Sequence, residues 1–157
     1  EGCTEFAMNY AAANGHIEIV IFLHVHRKEG CTTIAMDHSI ENRHLDVVTF
    51  LNVHRTEGFS TRGVISAIKY DQIGVVRLLY KKNKRCTIPA MKWAAYYGRL
   101  DILKWLHKSD SDSGNTNEKL DIVVKFLLKK IKPNSIPHHG VIDVVNWLYY
   151  IMNPCII

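Results

Sequence analysis

Apolar residues recur along this chain at helical intervals, and the intervals come in pairs. Near the amino end Ala7, Met8, Ala11 and Ala12 stand at i, i+1, i+4 and i+5; after a short polar break Ile17, Val20 and Leu23 stand at i, i+3 and i+6. That is the 3.6-residue period of a helix, not the two-residue alternation of a strand. The spacing predicts two helices of about eight to ten residues joined by a turn, each too short to persist alone in water, where helices below about 12–15 residues are marginal. Stability must then come from packing one pair against the next.

The second member of the pair returns three times. Asn14 to His24 reads NGHIEIVIFLH, Asn42 to Asn52 NRHLDVVTFLN, Tyr70 to Tyr80 YDQIGVVRLLY and Tyr97 to His107 YGRLDILKWLH, at steps of 28, 28 and 27 residues. A fixed period marks a stacked-repeat protein, so each position belongs to a column running through the stack. The units are 1–28, 29–56, 57–84 and 85–107. Small residues fill two columns of the first helix (Ala7, Ala35, Gly63, Ala90 and Ala11, Ser39, Ala67, Ala94), which lets backbones approach. Met8, Met36, Val64 and Met91, with Ile17, Leu45, Ile73 and Leu100 on the second helix, are expected to fill the gaps. Val20, Val48, Val76 and Leu103, then Leu23, Leu51, Leu79 and Leu106, complete the seam.

Thr4, Thr32, Ser60 and Thr87 precede the first helices, where a hydroxyl caps free backbone N–H groups; Thr33 and Thr61 are alternative caps in the second and third units. Pro89 falls in the first turn of its helix, where its missing N–H does no harm. Gly15 and Gly98 stand where each pair turns, and glycine accepts a left-handed backbone there. Arg43 and Asp71 replace it in between, so those turns are strained or differently built. After His107 the pattern changes. Lys108 to Lys119, KSDSDSGNTNEK, is a polar connector, and Leu120 to Leu128 and Val141 to Leu148 each repeat a second helix alone. They suggest two degenerate units, 108–130 and 131–157, with first helices eroded; part of one around Ser135-Ile136 is the alternative.

AAANGHIEIVIFLH in the first unit and AAYYGRLDILKWLH in the fourth resemble the Ala-Ala-x-x-Gly-His-Leu-Glu-Val-Val-x-x-Leu-Leu heart of the ankyrin repeat, and EGCTT-x-AMD resembles a short, divergent opening of it. The likeness covers residues 1–107 in phase. It implies an all-α, ankyrin-like helical-repeat solenoid of about four clear helix-turn-helix units plus two degenerate ones, in a single array over 1–157. The usual Thr-Pro-Leu-His entrance is replaced by Phe6-Ala7-Met8-Asn9, Ile34-Ala35-Met36-Asp37 and Pro89-Ala90-Met91-Lys92. The period is about five residues short of the ankyrin 33, a loss that falls in the loop between units and predicts a plain turn in place of a projecting finger.

Composition narrows the function. Hydrophobic residues make up 47% and charged residues 22%, a globular balance, and no run approaches the eighteen or more apolar residues of a membrane span. With no signal-peptide pattern, the expectation is a soluble, intracellular protein, cytoplasmic or nuclear. Glu1-Gly2-Cys3-Thr4 copies Glu29-Gly30-Cys31-Thr32, and Ile151 to Ile157 lacks a polar finish, so a monomer whose flanking repeats are missing is expected. Cys3, Cys31 and Cys86 share one column at packed-helix spacing, too far for disulfides, and read as small buried thiols. The net charge of +5 is uneven: residues 1–56 carry four basic and seven acidic side chains, a net of −3, and residues 57–107 ten and three, a net of +7. Such a gradient steers an acidic partner.

No residue set suggests catalysis, a metal or a cofactor. His16 and His44 follow the turn without a second ligand and read as structural, bonding neighbouring loops. His24 and His26 point apart on a helix, and His138-His139 sits by prolines. Asp110 to Gly114 begins like a calcium loop but has Asn115 and Asp121 where Gly and Glu belong. The cluster Lys81, Lys82, Lys84 and Arg85 complements a helix C-terminus, or serves as an import signal or acidic docking patch that Lys125, Lys129, Lys130 and Lys132 extend; nucleic acid is disfavoured because aromatic interleaving is missing. Trp93, Tyr96 and Tyr97 share a helical face, the first-helix side that lines the concave surface of ankyrin-like stacks; either they bind a partner or they fill the gap beside the eroded fifth unit. The expected contact stripe is Asn9, Tyr10, Asp37, His38, Lys69, Lys92, Trp93 and Tyr96. The expected function is non-catalytic protein interaction. Alternatives are a spacer within a longer repeat array, or a basic-patch binder of acidic partners or nucleic acid.

Overall fold

A computed structural model describes residues 5–83, 87–110, 116–130 and 139–153, and among these the secondary structure is entirely helical. The chain forms two compact units, Glu1–Tyr70 and Asp71–Ile157. No helix among the described residues is long and apolar enough to cross a membrane.

The first unit holds α1 (Glu5–Ala13), α2 (Ile17–His26), α3 (Thr33–Glu41), α4 (Leu45–His54) and α5 (Thr61–Lys69). The first helices pack side by side, α3 between α1 and α5, and α2 and α4 lie against their own partners and each other. The expected columns are buried: Met8, Ala35, Met36, Val64 and Ala67, with Val20, Val48 and Leu51 on the second helices. Leu45 is a correction, since it is 57% exposed. It opens α4, where its side chain tilts back off the helix end, while Val47, two residues on and on the other side of the helix, is fully buried. Ile40 and Ile68, in a column the periodicity did not single out, are fully buried as well.

The first, second and fourth pairs turn in the same way. The N–H of His16 donates to Ala11 O at 2.9 Å and that of Gly15 to Ala12 O at 3.2 Å; His44 and Arg43 repeat the bonds to Ser39 O and Ile40 O at 2.9 and 3.2 Å. This double closure requires a left-handed residue after the helix. Gly15 and Gly98 supply it at φ 73° and 68°, but Arg43 and Asp71 adopt φ 64° and 59° too, so the two non-glycine turns keep the shared geometry and bear its strain. At Gly15 space is also short: a Cβ there would lie 2.4 Å from Nδ1 of His44, which packs over the turn instead of hydrogen-bonding to cap α4.

The caps resolve in favour of the earlier hydroxyl. Thr32 Oγ1 accepts from Ile34 N at 3.2 Å and Ser60 Oγ from Arg62 N at 3.1 Å, with Thr33 and Thr61 as first helical residues. Thr87 differs: it is already inside its helix. Thr4 lies outside the described residues.

The second unit holds α6 (Ile73–Lys82), α7 (Thr87–Tyr96), α8 (Leu100–Ser109), α9 (Thr116–Lys130) and α10 (His139–Met152). Here the packing corrects the expectation of two eroded units, each keeping its second helix. α9 runs along α7, the place of a next first helix, while α10 touches α7, α8 and α9 as its partner. The physical reason is the apolar stripe of α9: Leu120, Val123 and Leu127 are buried, and the space beside α7 is where that stripe leaves water. α9 also starts at Thr116, drawing four residues of the polar connector into the helix, and Lys119 pairs with Asp110. α10 begins against the turn of the fourth pair, where a Cβ on Gly98 would stand 2.5 Å from the carbonyl carbon of Gly140. Residues 111–115 and the stretch around Ser135-Ile136 lie outside the described residues.

Candidate functional site

The expected contact stripe divides into three groups. Asn9 and Asp37 are buried, 6% and 5% exposed, which overturns the expectation that they are surface positions. Asn9 Nδ2 donates to Thr32 Oγ1 at 3.1 Å, and Thr32 N–H returns a bond to Asn9 Oδ1 at 3.0 Å. Asp37 repeats the tie one unit on: Ser60 N–H donates to Oδ1 at 2.9 Å and Ser60 Oγ–H to Oδ2 at 2.5 Å. Each side chain thus holds the capping residue of the next first helix, satisfying buried polar groups that would otherwise be costly. These residues join neighbouring units within the fold.

Tyr10, His38 and Lys69 occupy the outer side of α1, α3 and α5. Tyr10 is 72% exposed, Lys69 is exposed with its ammonium 5.1 Å from the Tyr70 ring centre, and His38 is half-buried. Ser66, in the same column as Tyr10 and His38, is buried, so that column is not a uniformly open strip.

Lys92, Trp93 and Tyr96 lie on α7, and Lys92 and Trp93 meet Phe126 of α9. Trp93 is edge-on to Phe126 at 5.7 Å, edge-on to Tyr96 at 5.5 Å and stacked on Tyr97 at 5.8 Å; Lys92 Nζ sits 5.8 Å from the Phe126 ring centre. Trp93 and Lys92 are half-buried, while Tyr96 stays 37% exposed. The cluster does what a filler would do against a helix in the fifth position, leaving Tyr96 as its outward edge. Lys81 and Lys82 are exposed in the last turn of α6; Lys84 and Arg85 lie outside the described residues.

Two features escaped the pattern analysis. The first is a tie around Cys31, the buried member of its column; Cys3, Cys86 and Cys155 lie outside the described residues. Arg55 grips Glu57 with Nε 3.3 Å from Oε2 and Nη2 against Oε1, Glu57 Oε1 accepts from Cys31 N at 3.4 Å, and Arg55 Nη1 reaches His24 Nδ1 at 3.3 Å. Burial alone would raise the Glu57 carboxyl, but the Arg55 hydrogen bond and backbone N–H donors bring it down to about 2. Burial pushes the Cys31 thiol up to about 11, the Glu57 charge adding to the effect and Arg55 opposing it. Elsewhere, burial lowers His107, against the opposing charge of Asp110. The repeated His-Arg-x-Glu-Gly at 26–30 and 54–58 was the available signal.

The second is an apolar groove of about 330 Å³ between α9 and α10, walled by Val124, Leu127, Leu128, Val145, Leu148 and Tyr149. Leu128 stands 74% exposed at its edge. Among the described residues no three His, Cys, Asp or Glu side chains gather as a metal site would require. No protein family, curated protein or solved structure matches the chain.

Proposed function

We propose that this chain is a non-catalytic protein-interaction module, an ankyrin-like helical-repeat solenoid that presents the outer side of its first helices to another protein. The observation that carries the reading is the contrast between inner and outer positions on those helices. Small residues and Met or Val recur at the buried positions of α1, α3 and α5, and the turns share one geometry, whereas the outward positions change from Tyr10 to His38 and from Glu41 to Lys69. A constant frame with variable outer side chains is how repeat proteins separate stability from recognition. Tyr10 is the strongest anchor in this stripe, since a large, exposed aromatic loses little conformational freedom on binding.

The test is a photo-crosslinking amino acid placed at Tyr10 and, separately, at Val53, which is 68% exposed on the second helix α4. Crosslinks to one protein from position 10 and none from position 53 support the reading; the reverse pattern defeats it.

A further inference from the structure

We propose that the adjoining faces of α6 and α8 bind the phosphate backbone of a double-stranded nucleic acid without reading its sequence. This surface belongs to the second helices, so the inference does not depend on the outer side of α1, α3 and α5.

α6 and α8 lie side by side. Tyr80 of α6 meets the Trp105 ring edge-to-face at 5.2 Å, and its hydroxyl donates to Ser109 O at 3.1 Å. Those two contacts straddle His107, the counterpart of Tyr80 at the 27-residue step, so the register of the repeat holds in space. Arg77 therefore stands level with Lys104, and Lys81 with Lys108; all four are exposed. Residues four apart on a helix are about 6 Å apart and packed helices about 8–10 Å, which makes the four a compact rectangle of positive charge. Arg77 lies over the Trp105 ring at 5.6 Å, and Lys82 adds a further exposed cation at the end of α6.

The fold does not ask for these charges. In the first unit the same positions hold Ile21 and Thr49, then Val25 and Val53, and all of these are exposed too. Val25 and Val53 stand in the last turns of α2 and α4, as Lys81 and Lys108 do in α6 and α8, so complementing the helix dipole does not require a cation there. Against five Lys and Arg side chains, α6 and α8 carry one carboxylate, Asp101, in the first turn of α8 where the dipole favours it. Asp143 lies on α10, which touches α8, while Asp71 is 3.9 Å from Arg99 and Asp110 pairs with Lys119.

What lies between the charges identifies the partner. α6 and α8 expose no large apolar side chain, whereas α2, α4, α9 and α10 do. An acidic protein would find no apolar anchor here, and a few such anchors carry most of the energy of a protein interface. A lipid surface would find no apolar wedge to take in. A nucleic-acid backbone needs neither, since its affinity comes from cations that displace counterions. Single-strand binding stacks bases on open aromatic faces, but Trp105 is half-buried beside Tyr80 with Arg77 over its ring. A duplex requires no stacking, and it presents one charge per about 1.7 Å of its axis, dense enough to meet all four cations together.

The test uses the full chain and a short fluorescein-labelled duplex DNA, read by fluorescence anisotropy across a salt series. Four phosphate contacts predict that log K falls against log salt with a slope of about −3 to −4. Lys81→Gln with Lys104→Gln should weaken binding by about tenfold or more at low salt and reduce that slope by about 2. Lys125→Gln with Lys129→Gln, at exposed positions on α9, removes the same net charge and should leave both nearly unchanged. The slope of the unaltered chain needs no variant, so it keeps the test valid if the first variant fails to fold. The proposal is overturned if the duplex does not bind, if the slope is near zero, or if the α9 variant loses as much as the α6 and α8 variant. Competition with the single strand, with polyglutamate and with phosphatidylserine vesicles separates the other polyanions. The duplex is expected to be preferred, and equal or tighter binding of any of the three overturns the assignment.

Discussion

Gly63→Ala tests whether the Asp37 tie holds neighbouring first helices together. In an ordinary helix interior this change stabilises by about 0.8–1.0 kcal/mol, because glycine has the greater freedom to lose. Gly63 is not ordinary: a Cβ there would stand 2.4 Å from Asp37 Oδ1, the oxygen that accepts Ser60 N–H at 2.9 Å. Asp37 is only 5% exposed, so the carboxylate has little room to withdraw. A hydrogen bond to a charged group contributes about 1.5–3 kcal/mol. Losing one outweighs the gain in propensity, and a net loss of about 1–2 kcal/mol follows. For a chain of this size that lowers Tm by about 2–8 °C. Gly74→Ala is the matched control, because nothing lies within 4 Å of its Cβ position; it should stabilise by up to about 1 kcal/mol. Urea unfolding followed by far-ultraviolet circular dichroism reads both. Removing the carboxylate removes the clash, so Asp37→Ala with Gly63→Ala should cost less than the sum of the single changes. If Gly63→Ala stabilises as much as Gly74→Ala, or if the double variant is strictly additive, the tie is not what brings the helices together.

Three further outcomes follow from the packing and the charges. Leu51→Ala, at a position 1% exposed, should cost about 2–5 kcal/mol in the same urea assay, while Leu45→Ala, 57% exposed, stays within about 0.5 kcal/mol. The Glu57 carboxyl sits lower in the folded chain, about 2 against an ordinary 4.5, so its contribution is complete above pH 4.5 and is lost as pH falls toward 2; Glu57→Gln should be less stable than the parent at neutral pH and the gap should close over that window. In a variant with Cys3, Cys86 and Cys155 changed to Ser, Cys31 should resist iodoacetamide at neutral pH until urea is added, because it is buried and its thiol is raised to about 11. Mass spectrometry reads the adduct, and rapid labelling of the native chain would contradict the burial.

The reading of the stripe shows how far side-chain type can mislead about exposure. Asn9 and Asp37 are polar and fall on the outward side of a helical wheel, yet both are buried because a hydroxyl of the next unit reaches them. Leu45 is apolar and in phase, yet lies open at a helix end. Trp93 has the composition of a binding anchor, and Phe126 of α9 covers part of it. In each case the deciding neighbour comes from elsewhere in the chain. Periodicity ranks the residues of one helix by direction but does not say what stands opposite.

By itself the amino-acid order determined the short helices between residues 5 and 107 and the left-handed turns within their pairs. Those depend on local forces: the 3.6-residue spacing of apolar positions, hydroxyl caps such as Thr32 and Ser60, and a left-handed closure at Gly15 that Arg43 is made to copy. Tertiary structure alone decided that α9 takes the slot beside α7, since Leu120, Val123 and Leu127 make an apolar stripe that would suit either kind of slot. The Cys31, Arg55 and Glu57 tie and the groove beside Leu128 were decided at that level too. Both join groups distant in sequence, and a charge or an apolar wall acquires its partner only when the helices carrying it are brought together.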